Sequence, residues 1–469
     1  MEFNSIEFLL FLPLITALYF LDTGKRRWII LLAASYWFYM AWVPKFVILL
    51  LVATIIDYLV AIKITSVTEK KTKRLVLLIS IFANLGILVL FKYNDFFIEN
   101  VNEIIEQCGG RSQIPLLRLV LPMGISFYTF QTMAYTIDVY RGNIPAERHL
   151  GYFALYVTYF PQLVAGPIER AGHLLSQFKI KTRFTYENVS WGVKQMIWGF
   201  FKKVLIADRL AEMVDQVYNS PAQFDGISFI FASYLFAIQI YCDFSGYSDI
   251  AIGASRIFGI NLMDNFKLPY LANSFNNFWR RWHISLSGWF RDYLYIPLGG
   301  SKVTKPRWLL NLFLVFLISG FWHGAAWTYI IWGALHGVYL IVENILPNKD
   351  FRQKIPSWIT KILVFHLVVF AWIFFRANTL DDSVLIISNL PNWNLEIFLD
   401  LINESGYLKF ALLMCIVIGF VIIDPKMDKF VKENTLLGYW SNQLLFSFLA
   451  ALILIFGYFG AAQFIYFQF

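Results

Sequence analysis

Two histidines, His283 and His323, are the residues of this chain best placed to do chemistry. His323 sits between Trp322 and Gly324 in a run of 35 residues, Trp308 to Val342, that carries no charge. An ionisable side chain inside a membrane is costly and tends to be kept for function. An imidazole, with a reference pKa of about 6.5, takes and gives protons near neutrality. His323 can therefore serve as base, nucleophile or proton relay. His283 lies in a stretch where Trp279, Trp282, Trp289, Tyr293 and Tyr295 alternate with Arg280, Arg281 and Arg291. That alternation predicts an interfacial amphipathic helix, aromatics at the headgroup level and arginines toward anionic lipid. It gives no reason for a histidine. Helical spacing would put His283 on one face with Trp279 and Ser287. His336 follows on the far arm of the apolar run and is expected near a tunnel mouth. Asp243 and Asp249, in "CDFSGYSD", are expected to pair with Arg280 or Arg281.

The elements that must hold these groups are membrane helices. Of 469 residues, 58% are hydrophobic and 19% aromatic, well above the 45–50% apolar share of an average soluble chain. Apolar segments recur from residue 6 to residue 467 with no long soluble insert. The expectation is one integral membrane domain spanning 1–469, all-α and polytopic. The first apolar run, Ile6 to Leu21, lacks a basic flank and a cleavage site and reads as a first span. The three cysteines, Cys108, Cys242 and Cys415, match no metal motif and argue against a disulfide framework. No metal ligand set is expected.

The net charge of +8 reads as topology, and nucleic acid is not an expected partner. Lys25, Arg26 and Arg27, and the group Lys63 to Arg74, mark cytoplasmic loops by the positive-inside rule, with the N-terminus outside. Carried along the chain, that rule gives about ten crossings, including one over Leu116–Tyr140. Residues 151–168, with Pro161 and Gly166-Pro167, look re-entrant. Lys202 and Lys203 fit badly, since they fall toward the outer end of their span. The charge-free run is too long for one span of about 20 residues, and Lys302, Lys305 and Arg307 on one side and Lys349, Arg352 and Lys354 on the other put both flanks on the same face. It should form a hairpin broken near Gly320 and Gly324. Non-helical backbone at that depth must be buried in protein or line a watered cavity.

"FWRRWHISLSGWFRDYLYIPLGG" (278–300), followed by "FWHGAAWTYIIWGALHG" (321–337), resembles the membrane-bound O-acyltransferase family. "PQLVAGPIER" (161–170), "IYCDFSGYSDIAIGASRIFGI" (240–260) and "FIYFQF" (464–469) resemble its bacterial branch, which O-acetylates alginate, peptidoglycan and other polysaccharides. The resemblance implies a funnel- or tunnel-shaped helical fold in a bacterial cell membrane, with re-entrant and interfacial helices. It implies that His323 is the intramembrane histidine of that family and that His283 fills a second position, usually His or Asn. It implies a thioester donor, for which acetyl-CoA is favoured, and a polysaccharide hydroxyl as acceptor. Trp282, Trp322, Arg280, Arg281, His336 and Asp243 are then candidates to line the donor site or tunnel. Tyr466, in the C-terminal aromatic tail, is a candidate acyl relay. A separate extracytoplasmic Ser-His-Asp transferase is the expected partner, beside membrane lipid. The competing readings are a carrier-protein-dependent D-alanyl transferase for teichoic acid and a non-enzymatic exporter.

Overall fold

The computed structural model describes residues 1–469 except 23, 165, 346–354, 433–435, 461–463 and 466–469. Lys349, Arg352, Lys354 and Tyr466 thus lie outside the described residues. Every regular element described is helical. Five helices are long and apolar enough to cross a membrane: Pro44–Ser66, Lys70–Gln107, Gly226–Ile257, Ser357–Arg376 and Tyr407–Met427. Ile6–Leu21 and Trp440–Phe456 are shorter apolar helices. Their outward faces carry exposed Ile6, Leu10, Phe82, Leu408 and Leu454, the pattern of helices solvated by lipid rather than water.

The chain divides into two compact units, one of residues 1–192 with 254–263, the other of 193–253 with 264–469. In the first, Asp57 on the span Pro44–Ser66 is fully buried and accepts hydrogen bonds from Ser80 and Asn84. Thr132 and Thr136 extend the network to Ile125–Arg141. A carboxylate in lipid is tolerable because these donors replace its water. The expected crossing over Leu116–Tyr140 is helical only from Ile125, since Pro122 removes a backbone donor and Gly124 takes a left-handed conformation at φ 73°. The segment expected to be re-entrant does not form one continuous helix. The helix Leu150–Thr158 stops at Tyr159 and a short helix, Phe160–Leu163, follows around Pro161.

The second unit holds both histidines. Its charge-free run is the expected hairpin, with arms Lys305–His323 and Trp327–Ile345. Gly320 and Gly333 bring the arms into backbone contact. A Cβ on Gly320 would lie 2.3 Å from the Tyr329 carbonyl oxygen, and one on Gly333 would lie 2.4 Å from that of Phe316. Gly320→Val is therefore expected to force the arms apart and destabilise the unit by about 1–3 kcal/mol or more. A lowered melting temperature of the detergent-solubilised protein would show it; an unchanged one would mean the arms do not depend on this contact.

Candidate functional site

His323 is the last residue of the first hairpin arm, and the arm ends there because the chain must turn through Gly324 to reach Trp327. The ring is 2% exposed. It lies edge-on to Trp322 and Trp332, both at 4.9 Å between centroids, and to Phe375 at 5.5 Å.

His283 does not sit on a continuous helix. Residues 273–300 break into Phe275–Trp279, Ile284–Phe290 and a π-helical turn at Arg291–Tyr295. This corrects the expected amphipathic helix and the shared face of Trp279, His283 and Ser287. The physical reason lies in the break itself. His283 takes φ 43° and ψ 57°, a left-handed conformation rare outside glycine. Asn265 holds it there: its carbonyl accepts from Ile284 N–H at 3.0 Å, and its Oδ1 accepts from Ser285 N–H at 3.1 Å and Oγ at 2.9 Å. The preceding short helix is tied to the hairpin, since Glu343 accepts from the Phe275 N–H at 2.6 Å and from Asn276 at 2.8 Å. Trp279, Trp282 and Trp289 are buried rather than interfacial. Trp282 stacks on Phe278 at 5.7 Å and meets Trp372 at 5.1 Å.

The consequence is that His283, fully buried, comes to 6.4 Å from His323 between ring centroids, with planes inclined at 53°. Trp322 flanks both rings. His336 is brought near but not into this pair. It is fully buried in an aromatic box of Trp279 at 4.9 Å, Trp332 at 5.0 Å and Phe278 at 6.2 Å, so it packs within the protein and not at a mouth. Trp332 separates it from His323.

A polar cavity of about 590 Å³ lies in the same unit. Its wall includes Arg280, Arg281, Lys202, Asp249 and Asp424, and also Asn265 and Phe266, the latter packed on Trp282 at 5.1 Å. The same Asn265 that pins the His283 backbone therefore forms part of the cavity wall. His283, His323, Trp282, Trp322, His336 and Asp243 are not among the lining residues.

The two lysines that fitted badly are explained here. Phe201–Ala207 is a π-helical turn continuing the helix Tyr186–Phe200. Gly199 and Gly246 let this helix touch Gly226–Ile257, with a Cβ on Gly199 falling 2.6 Å from the Gly246 carbonyl oxygen. Lys202 then pairs with Asp249 and donates to Ser245 at 2.9 Å. Lys203 pairs with Asp208 at 2.7 Å and Asp243 at 2.8 Å. The expected partners of Asp243 and Asp249, Arg280 and Arg281, are replaced by lysines closer in the fold. Sequence reading missed Asn265 and this lysine cluster. A doublet of lysines beside apolar residues was the available signal. Lys203→Met would leave two buried carboxylates facing each other. A loss of about 3–5 kcal/mol is expected, seen as a collapse of the monodisperse detergent peak; retention of the wild-type peak and melting temperature would refute it.

With this geometry in hand, comparison with known proteins defines the class. Residues 145–377 match the model of the membrane-bound O-acyltransferase family. The chain is 41% identical over 384 residues to the "Probable alginate O-acetylase" of Pseudomonas aeruginosa, covering 81% of this chain and 73% of that one. It is 38% identical over 397 residues to the peptidoglycan O-acetyltransferase of Helicobacter pylori, covering 79% and 74%. A more distant similarity, 29% over 282 residues, covering 56% and 71%, is to the teichoic acid D-alanyltransferase of Bacillus subtilis. The chain belongs to the membrane-bound O-acyltransferase family. It is a multi-pass membrane enzyme that transfers an acyl group.

Proposed function

We propose that this enzyme moves an acetyl group from a cytoplasmic thioester, acetyl-CoA, to a hydroxyl of an extracytoplasmic cell-wall or exopolysaccharide in a bacterial cytoplasmic membrane. The observation that carries the reading is the buried histidine pair at 6.4 Å, in a chain similar to named polysaccharide O-acetylating enzymes. That separation leaves room for one hydroxyl oxygen hydrogen-bonded toward either ring, at about 2.7–3.0 Å.

In this reading His323 takes the hydroxyl proton as the oxygen attacks the thioester carbonyl. The C–S bond breaks and the thiolate leaves with the proton, giving an ester and a free thiol. His283 orients the hydroxyl or polarises the carbonyl. Its backbone is held by Asn265, so the ring is already in place and little ordering remains to be done in the transition state. The cavity that shares Asn265 with the His283 turn, with Arg280 and Arg281 on its wall, suits a phosphate-bearing donor, since guanidinium groups recognise phosphate oxygens in a fixed fork. Tyr466 is the proposed relay, carrying the acyl group as a phenyl ester to a Ser-His-Asp transferase docked outside. A phenolate, with a reference pKa of about 10, leaves an ester readily.

The test is base-releasable surface acetate in cells at matched membrane expression. General-base removal typically costs about 10²–10⁴-fold, so His323→Ala is expected to lower acetate at least ~10²-fold. His283→Ala should lower it strongly too, and Tyr466→Phe should abolish transfer if the tail is the relay. Wild-type acetate in His323→Ala would sink the mechanism. Release of D-alanine instead of acetate would favour the teichoic acid reading that the Bacillus subtilis similarity raises.

A further inference from the structure

The last helix, Leu436–Phe456, does not end as a free tail. Arg209 Nε donates to the Phe456 carbonyl at 3.0 Å, and its guanidinium lies over the Tyr458 ring at 5.5 Å. Tyr458 N–H donates at 3.0 Å to the Val204 carbonyl, inside the π-helical turn that carries the two lysines. Further on, Phe464 and Ile465 are 2% and 4% exposed. The Phe464 ring packs on Tyr247 at 4.7 Å and on Phe244 at 5.7 Å. Phe244 is in turn edge-on to His283 at 4.6 Å. Ile465 N–H donates to Asp243 Oδ2 at 2.8 Å, while Oδ1 of the same carboxylate is 2.8 Å from Lys203 Nζ.

The charges say what Asp243 is for. Lys203 is already matched by Asp208 at 2.7 Å. A second buried carboxylate against one lysine adds desolvation cost that neutrality does not require. What it adds is an ionised acceptor for a backbone N–H, a bond roughly twice as strong as its neutral equivalent. The bond is spent on the chain's own end, one aromatic ring away from His283.

We propose that Asp243, oriented by Lys203, is a positioning residue that seats Phe464 and Ile465 against the Phe244 ring that meets His283, for acyl transfer. The proposal rests on the reading above that the tail takes part in transfer.

Two readouts test it on the full-length protein. Hydrogen–deuterium exchange of the C-terminal peptide, in detergent, reports seating without any acyl group present. Surface acetate reports transfer. Asp243→Ala is expected to speed tail exchange about tenfold and to lower acetate by a similar factor. Asp243→Asn keeps an oxygen acceptor of the same size and should recover part of both. Phe464→Ala, which touches neither ion pair, should reproduce the Asp243→Ala result and covers the case in which that variant fails to fold. Wild-type exchange in Asp243→Ala and Phe464→Ala would overturn the seating. Fast exchange with full acetate would overturn the role in transfer. If His323→Ala left acetate intact, the transfer reading would fall, while exchange would still decide whether Asp243 holds the tail.

Discussion

A helix can stop inside a membrane only where something other than water takes over its hydrogen bonds, and this constraint shapes the second unit. At three places a polar side-chain residue takes them over. Asn265 receives the donors that start Ile284–Phe290. Glu343 receives those that start Phe275–Trp279. Asp243 receives the Ile465 amide. The histidines stand at two of the breaks, His323 closing one helix and His283 opening another. Chemistry at this depth needs side chains that point into space not filled by a helix, and broken helices supply that space. The broken ends must then be satisfied by residues that never touch a substrate.

Much of this was legible in the sequence where the signal was length and charge. The run Trp308–Val342 is too long for one crossing and too apolar for a loop, so a hairpin was the remaining solution, and its glycines marked the turn. His323 and His336 stood out because the run carries no other imidazole and no charged residue. The aromatic and arginine alternation around His283 misled, because an interfacial helix and a buried aromatic box use the same residue types. Only three-dimensional packing distinguishes Trp282 at a headgroup from Trp282 stacked on Phe278. The helix within Leu116–Tyr140 starts late for a plainer reason: hydropathy counts apolar residues but not the proline and left-handed glycine that delay it.

The lysine cluster was illegible for a different reason. Two of its three carboxylates, Asp243 and Asp249, lie about 40 residues or more further along the chain, on a helix brought close by Gly199 and Gly246. A π-helical turn has no sequence signature that separates it from the α-helix it interrupts. Lys202 and Lys203 looked like a topology error because the rule that reads loops from charge assumes that buried lysines are absent. Here they are buried and matched. Such a cluster carries information about fold rather than about which side of the membrane it faces.

The left-handed backbone at His283 also bears on how this position can change over time. Apart from glycine, the residues that accept such a conformation most readily are asparagine, aspartate and histidine. Aspartate would bring a fixed negative charge into a setting of tryptophan and phenylalanine rings, at a high desolvation cost. Histidine and asparagine remain. That is the pair of residue types which the family resemblance implies here. The exchange of a titratable ring for a neutral amide looks chemically radical, but for the backbone it is conservative. The backbone at this site thus restricts which residues it accepts independently of the reaction, and a residue's interchangeability is a poor guide to how little it contributes.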